Sequence, residues 1–360
     1  MTISNDTFRQ RIEKVKKVAM EKAIPALWIT KTENKFYLSG FESSNFYIFL
    51  TKEKDYLLTD FRYIETAEAL KDNFTIVLIS NQYTPFDFLK ENCPDILGIE
   101  YKSITFDFYN DMMEKVRPKH VVPADQIIEN IRSIKEEAEI DCIRKAASIT
   151  NMGFLHLLDY VRPGLTEKQI ALELEFFMKQ EGADALAFDT IVACGERGSL
   201  PHAMPTERVV KEGDFITFDF GAKFGGYCSD MTRTIGIGAV SDEQKAVYAL
   251  VLEAQQSAAA SIRSGFPAAE ADRIARDLIT NAGYGSCFGH GLGHGVGLEI
   301  HEAPTLNSVS AEILDKNMIV TVEPGIYIPG KFGVRIEDLA VVEDSGIITL
   351  STVDKELIIL

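Results

Sequence analysis

A chain of 360 residues, 46% of them hydrophobic, has the length for two domains and the means to build ordinary cores. Its net charge of −17 and pI near 4.9 argue against nucleic acid or an anionic membrane surface as partner. No basic region followed by an apolar core opens the sequence and no apolar run approaches a membrane span, so neither a secretory signal nor a membrane anchor is expected. Five cysteines, Cys93, Cys142, Cys194, Cys228 and Cys287, are odd in number, widely spaced and free of C-x-x-C. That pattern suits free thiols in a reducing cytoplasm.

In chain order, Phe8 to Lys22 is amphipathic, with Ile12, Val15 and Val18 among charges, and predicts a helix. Residues 26–30, 46–51, 56–59 and 75–79 predict short strands, which together give an α/β domain. His120, its one histidine, is read as structural. The two prolines of Arg117-Pro118-Lys119-His120-Val121-Val122-Pro123 mark a composition change, and the junction is expected near residues 124–132, giving domains 1–128 and 129–360. The second domain opens with Ser133 and Glu136 as a capping box before a helical run through Val161. Thr166 with Gln169 and Ser241 with Gln244 mark two more helix starts, and Pro267 to Asn281 a fourth helix. Between the helices, residues 215–221, 227–238, 318–323 and 333–342 predict strands, so this domain is α+β, with helices and hairpins in two similar batches.

Residues 286–302 combine His290, His294 and His301 with glycine at 289, 291, 293, 295 and 297. So many glycines disfavour a helix, and an extended run without side chains on one face lets other groups approach its backbone. On such a strand His290 and His294 share a face with α-carbons roughly 13 Å apart, too far to grip one ion. One is read as a metal ligand and the other as lining the same cleft. Neither G-x-G-x-x-G nor H-E-x-x-H is present. Taken alone, the stretch keeps a lesser alternative, a glycine-rich loop with incidental histidines.

Acidic residues supply the rest. A hairpin turning between Phe224 and Gly225 would set Asp219 directly opposite Asp230, and like charges so placed destabilise a sheet. A shared proton or a cation would relieve them. Glu323 ends the apolar strand Ile319-Val320-Thr321-Val322, and Glu337 alternates with Val334 and Ile336; in a hairpin both would face one cleft. Singly, each acid is best read as solvated or paired with Arg335. Together they are costly to bury without compensation. Four carboxylates and one imidazole without thiolate suit Mn²⁺, Co²⁺, Zn²⁺ or Fe²⁺, and two ions about 3.5–4 Å apart would use them all.

The motifs Asp219-Phe220-Gly221, Ser229-Asp230-Met231-Thr232-Arg233-Thr234, the glycine-histidine run around His294, Glu323-Pro324-Gly325-Ile326-Tyr327 and Val334-Arg335-Ile336-Glu337-Asp338 resemble the proline-specific pita-bread metallopeptidases, the Xaa-Pro dipeptidases (prolidases) and Xaa-Pro aminopeptidases. The resemblance spans essentially the whole chain. It implies an α+β C-terminal pita-bread (creatinase/aminopeptidase-like) domain preceded by a smaller α/β domain of creatinase/prolidase type. It further implies two divalent cations per chain, Mn²⁺ favoured, held by Asp219, Asp230, His294, Glu323 and Glu337. Glu323 matches the ligand that also shuttles a proton, and His202 and His301 match catalytic histidines. His290 matches a residue of the substrate pocket, and Tyr327 and Arg335 match positions that support the site. Small peptides with proline in second position, cut by a cytoplasmic homodimer, are the implied substrates. Ala203 after His202 departs from the glycine frequent there and bears on the shape of that side of the pocket. The 14-residue step from Glu323 to Glu337 and the extra N-terminal domain speak against methionine aminopeptidases. A non-enzymatic binding module would typically have lost ligands, and a creatinase-like metal-free enzyme would not need all five. A related aminopeptidase without proline specificity is the remaining alternative.

Overall fold

The computed structural model describes residues 3–360. One compact unit ends at Arg132 and a second runs Ser133–Leu360. In the first, helix α1 (Asn5–Glu21) starts where the Ser4 hydroxyl accepts from the Thr7 amide. It is followed by β1 (Ala26–Ile29), α2 (Thr32–Ser39), β2 (Phe46–Thr51), β3 (Asp55–Thr59), α3 (Ile64–Ala67) and β4 (Thr75–Leu78). The unit closes with α4 (Pro85–Asn92), β5 (Ile96–Ile99), α5 (Phe106–Lys115), β6 (His120–Pro123) and α6 (Asp125–Ser133). The strands form one mixed sheet in the order β4-β3-β2-β1-β5-β6 over a core that includes Trp28, Phe49, Leu97 and Met112. His120, expected to be structural, stands exposed on the edge strand β6.

The second unit opens with α7 (Glu137–Tyr160) and α8 (Glu167–Gln180). The expected box of Ser133 with Glu136 is replaced by one between Glu136 and Glu139, because Glu136 itself is the extended residue before the helix. The boxes of Thr166 with Gln169 and Ser241 with Gln244 form as the spacing predicts. Strands β7 (Ala185–Leu186), β8 (Ile191–Cys194), β9 (Phe215–Phe220), β10 (Ala222–Phe224), β11 (Tyr227–Cys228) and β12 (Met231–Gly236) come next. Helices α9 (Asp242–Ser261) and α10 (Ala268–Asn281) precede β13 (Gly293–Gly295), β14 (Glu302–Leu306), β15 (Ile319–Val322), β16 (Gly325–Ile328), β17 (Phe332–Arg335), β18 (Asp338–Glu343) and β19 (Gly346–Thr349).

Two helix pairs cover two sets of strands. Ile216, Phe218 and Phe220 of β9 enter one core with Leu157 of α7 and Leu174 of α8. Val320 and Val322 of β15, Val334 of β17 and neighbouring Ile336 enter the other with Val251 of α9 and Ala275 of α10. Side chains alternate along a strand, so Thr217 and Asp219, Thr321 and Glu323, and Arg335 and Glu337 are left on the faces opposite those cores. The two polar faces are tied together where the Glu337 amide donates to the Thr232 carbonyl and the Thr234 hydroxyl donates to that of Arg335.

The first hairpin differs from the expected register. Asp219 pairs with Thr232, not Asp230, because the turn is centred on Gly225-Gly226, both at positive φ (58° and 85°), rather than between Phe224 and Gly225. A two-residue turn with φ positive at both central positions matches strand twist and favours glycine at each. Asp230 therefore falls in the gap between β11 and β12, two residues along from the partner of Asp219. In the second hairpin, Val322 pairs with Asp338 and Gly325 with Arg335, a shared register that sets Glu323 against Glu337.

The glycine-rich stretch is a strand only over Gly293–Gly295, shorter than expected, since its backbone is hemmed in by neighbours. A Cβ at Gly293 would lie 2.2 Å from the Thr321 carbonyl oxygen, and one at Gly295 2.2 Å from that of Ala303. Gly221 is equally confined, its Cβ position falling 1.9 Å from the Ser229 carbonyl oxygen beside Asp230. Gly221→Ala is therefore expected to destabilise the protein by about 1–3 kcal/mol, the scale of forced overpacking. An unchanged denaturation midpoint in that variant would contradict the close approach.

Candidate metal centre

Asp230, His294 and Glu337 each bring one ligand atom to a common point, all within 4.8 Å of one another. The His294 Nδ1 lies 3.1 Å from the Gly295 carbonyl oxygen and must donate to it. That fixes the tautomer and turns the Nε2 lone pair toward the acids, 3.6 Å from Asp230 Oδ2 and 3.3 Å from Glu323 Oε1. Asp219 lies at the side of this group, where Arg335 Nη2 donates to its Oδ2 at 2.6 Å. Three of the five expected ligands thus meet at one point, while Glu323 adjoins them through His294 and Asp219 is held by Arg335.

Electrostatics show what the group lacks. Burial, and then neighbouring carboxylates, push the Asp230 and Glu337 carboxyls well above the usual range. Burial also raises Asp219, although Arg335 opposes it. Burial disfavours ionisation of Glu323 as well, but there the hydrogen bond and charge of His294 win and hold the carboxyl below its ordinary value. On the imidazole, burial is outweighed by Glu323, so His294 is raised. Positive charge is what the cluster demands. Asp230 Oδ1 and Glu337 Oε1 are buried oxygens without a hydrogen-bond partner. Buried acceptors left open, beside an imidazole lone pair and with no thiolate, fit a divalent cation of the Mn²⁺, Co²⁺, Zn²⁺ or Fe²⁺ type.

Hydroxyls orient these ligands. Thr232 donates to Glu337 Oε2 at 2.7 Å and accepts from Arg335 Nε at 3.0 Å. Thr321 donates to Glu323 Oε1 at 3.2 Å and accepts the His294 amide at 3.1 Å. Sequence reasoning passed over both threonines, yet each sits two residues from an acid (Thr232 from Asp230, Thr321 from Glu323). On a strand that spacing returns to the same face.

Arg335 also donates through Nη1 to the Tyr327 hydroxyl at 2.7 Å, and Tyr327 lies 2.9 Å from His290 Nε2. His290 Nδ1 donates to the Gly291 carbonyl, so its Nε2 accepts and the tyrosine proton points to it. An ordered chain therefore runs His290–Tyr327–Arg335–Asp219. The expected 13 Å span along one strand does not describe His290, because residues 288–292 are irregular. It lines the cleft nonetheless.

A cavity of about 980 Å³ opens over the acids and is lined by His202, His290, His294 and His301, with Asp219, Asp230, Glu323, Tyr327 and Arg335. Glu337 lies behind it, 1% exposed. His301 crosses the His294 ring edge-on at 4.4 Å between centroids, and burial followed by the charge of His294 lowers its pKa. Ala203 answers the question raised by the departure after His202. Its methyl is buried against Ile191 and Ala193, and the exposed Met204 that follows lines the cavity. Phe188, Ile191, Met204 and Ile300 give the cavity apolar wall that the motif spacing did not signal.

Among known proteins, the model of metallopeptidase family M24 matches residues 141–344, and that of the creatinase/prolidase N-terminal domain matches residues 11–134. The chain is 36% identical to an Xaa-Pro dipeptidase of Pyrococcus horikoshii over 98% of its own length and 100% of the relative's. A solved Xaa-Pro dipeptidase from Bacillus anthracis superposes with a TM-score of 0.94 at 40% identity, covering 98% of this chain and 100% of the other. An X-Pro aminopeptidase from Thermotoga maritima superposes with a TM-score of 0.88 at 36% identity, covering 97% and 99%.

Proposed function

Since the chain belongs to metallopeptidase family M24 and begins with a creatinase/prolidase N-terminal domain, we propose that it is a two-metal peptidase cutting the bond between an N-terminal residue and proline. The observation that carries this reading is the convergence of Asp230, His294 and Glu337, with two buried carboxylate oxygens left open, beneath a cavity rimmed by three further histidines. Asp219, Asp230, His294, Glu323 and Glu337 would hold two divalent cations, with Mn²⁺ favoured. When bound, these cations supply Lewis acidity toward a carbonyl and lower the pKa of water.

The protein's own groups do the remainder. Glu323, on the cavity side of the cluster, takes a proton from the attacking water and returns it to the departing proline nitrogen. His202 and His301, exposed on the rim, donate to the oxygen of the scissile carbonyl as charge develops there. Arg335 and Tyr327 hold Asp219 and His290 in place. A peptide bond before proline has no N–H and a restricted backbone, so a cavity suits it better than strand-like docking. The names of the similar proteins, dipeptidase and aminopeptidase alike, support a substrate of the Xaa-Pro class. The working unit is proposed to be a homodimer, which light scattering would show as twice the chain mass.

Chromatography of products from Ala-Pro, Ala-Pro-Ala and a longer Xaa-Pro peptide tests the proposal. Release of the residue before proline is the expected outcome, and the relative rates assign dipeptidase or aminopeptidase character. Cleavage of Ala-Ala as fast as Ala-Pro would overturn the proline preference in favour of a general aminopeptidase.

A further inference from the structure

Several carboxylates outside the metal centre are buried, among them Glu167, Asp272 and Asp338, and Glu167 is tied to the segment that carries His202. Glu167 is the first residue of α8 and is fully buried. Its Oε1 accepts from the Cys194 amide at 2.9 Å and from Arg197 Nε at 3.1 Å. Its Oε2 accepts from Arg197 Nε at 3.0 Å, from the Thr206 amide at 2.9 Å and from the Thr206 hydroxyl at 2.7 Å. Cys194 and Thr206 are the two ends of the segment that carries His202, so a single carboxylate grips both.

Within that segment the backbone on either side of His202 is pinned. Arg335 Nη1 donates to the Pro201 carbonyl at 3.3 Å, and Arg197 Nη2 donates to the Met204 carbonyl at 2.6 Å. Ala203 is buried, and Gly198 abuts Gly333, whose amide nitrogen would be 3.1 Å from an added Cβ. No side-chain hydrogen bond holds the His202 ring among the described residues, and that side chain is exposed to the cavity. Its location is therefore set by the loop backbone, whose two ends Glu167 ties together. A buried ion pair is weak evidence for net stability. What this one supplies is position: with Gln, an amide N–H₂ would compete with Arg197 and one end of the loop would lose its acceptor.

We propose that Glu167 is a positioning residue for the proposed reaction, holding His202 over the metal centre by clamping residues 194–206 through Cys194, Arg197 and Thr206. The inference rests on the reading of His202 as a group that touches the substrate.

A double-mutant cycle tests it, using Glu167→Gln, His202→Ala and the double variant in the full-length, metal-loaded enzyme. Glu167→Gln is expected to lower kcat by about 10–100-fold, the cost of misplacing a reacting group by about 1 Å. KM and metal content should be unchanged, and amide exchange in residues 202–204 should be faster. In the His202→Ala background the same substitution should cost no further kcat, because what it positions is already gone. An equal loss of kcat in both backgrounds, wild-type kcat in folded Glu167→Gln, unchanged exchange, or loss of metal would each overturn the proposal. Should Glu167→Gln not fold, Thr206→Val carries the same cycle, since it keeps the shape of a half-buried side chain and removes the hydroxyl that donates to Glu167 and accepts the Arg208 amide. Its expected effect has the same sign and is smaller. Wild-type turnover in His202→Ala alone would instead show that the reading of His202 has failed, and the proposal would fall with it; that result is visible in the single variant before any coupling is computed.

Discussion

Chelation of divalent metal is expected to abolish peptidase activity, and Mn²⁺ or Co²⁺ to restore it. The reason lies in the carboxylates. Asp219, Asp230, Glu323 and Glu337 surround one imidazole, and burial leaves Asp230 Oδ1 and Glu337 Oε1 without any donor. Protein groups alone do not neutralise this set, since Arg335 is committed to Asp219 and Tyr327. Asp230→Asn and Glu337→Gln separate the metal from the fold. Each amide keeps the shape of the acid but cannot supply its charge, so metal content and turnover should fall together. Glu337→Gln can still accept from Thr232, so its fold should survive, and a circular dichroism spectrum like that of the parent would confirm this. Full activity in metal-free protein would end the two-metal reading. Wild-type stoichiometry in either variant would end the ligand assignment for that residue.

Much of this centre was legible in the sequence because strands keep a period of two. Alternation along residues 215–220 and 334–337 placed Asp219 and Glu337 opposite apolar side chains, and the structure puts Phe218 and Val334 in separate cores on the far faces. The capping boxes at Thr166 and Ser241 were equally local, each written into four consecutive residues. Register was less accessible. Counting from the wrong pair of turn residues moved Asp230 opposite Asp219, when two adjacent glycines at positive φ fix the pairing two residues away. The glycine-rich stretch misled in another way. Its lack of side chains was correctly read as room for close neighbours, but those neighbours, Thr321 and Ala303, come from distant strands and break the extended run to three residues. Thr232 and Thr321 were passed over because a threonine in a strand is ordinary. Their importance appears only once Glu337 and Glu323 are seen beside them.

The four histidines of the cavity are expected to divide by role. His294→Ala should lower metal occupancy, because its Nε2 is the nitrogen facing the acids and Gly295 holds its tautomer for that purpose. His202→Ala and His301→Ala should leave two metals bound and reduce turnover by about 10²–10³, the scale for losing one donor to a developing oxyanion. Neither ring is needed to fill the core, since both are exposed on the rim, so their loss should leave thermal stability near that of the parent. His290→Ala acts elsewhere. Its Nε2 is occupied by Tyr327 and its Nδ1 by Gly291, which leaves no lone pair for metal. Removing it frees the Tyr327 hydroxyl at the cavity wall, and the expected result is a raised KM with little change in metal content. Were all four merely packing residues, substitution would lower the melting temperature and spare the kinetics of the folded enzyme. Metal analysis beside steady-state kinetics distinguishes the cases, and equal metal loss across the four variants would defeat the division of roles.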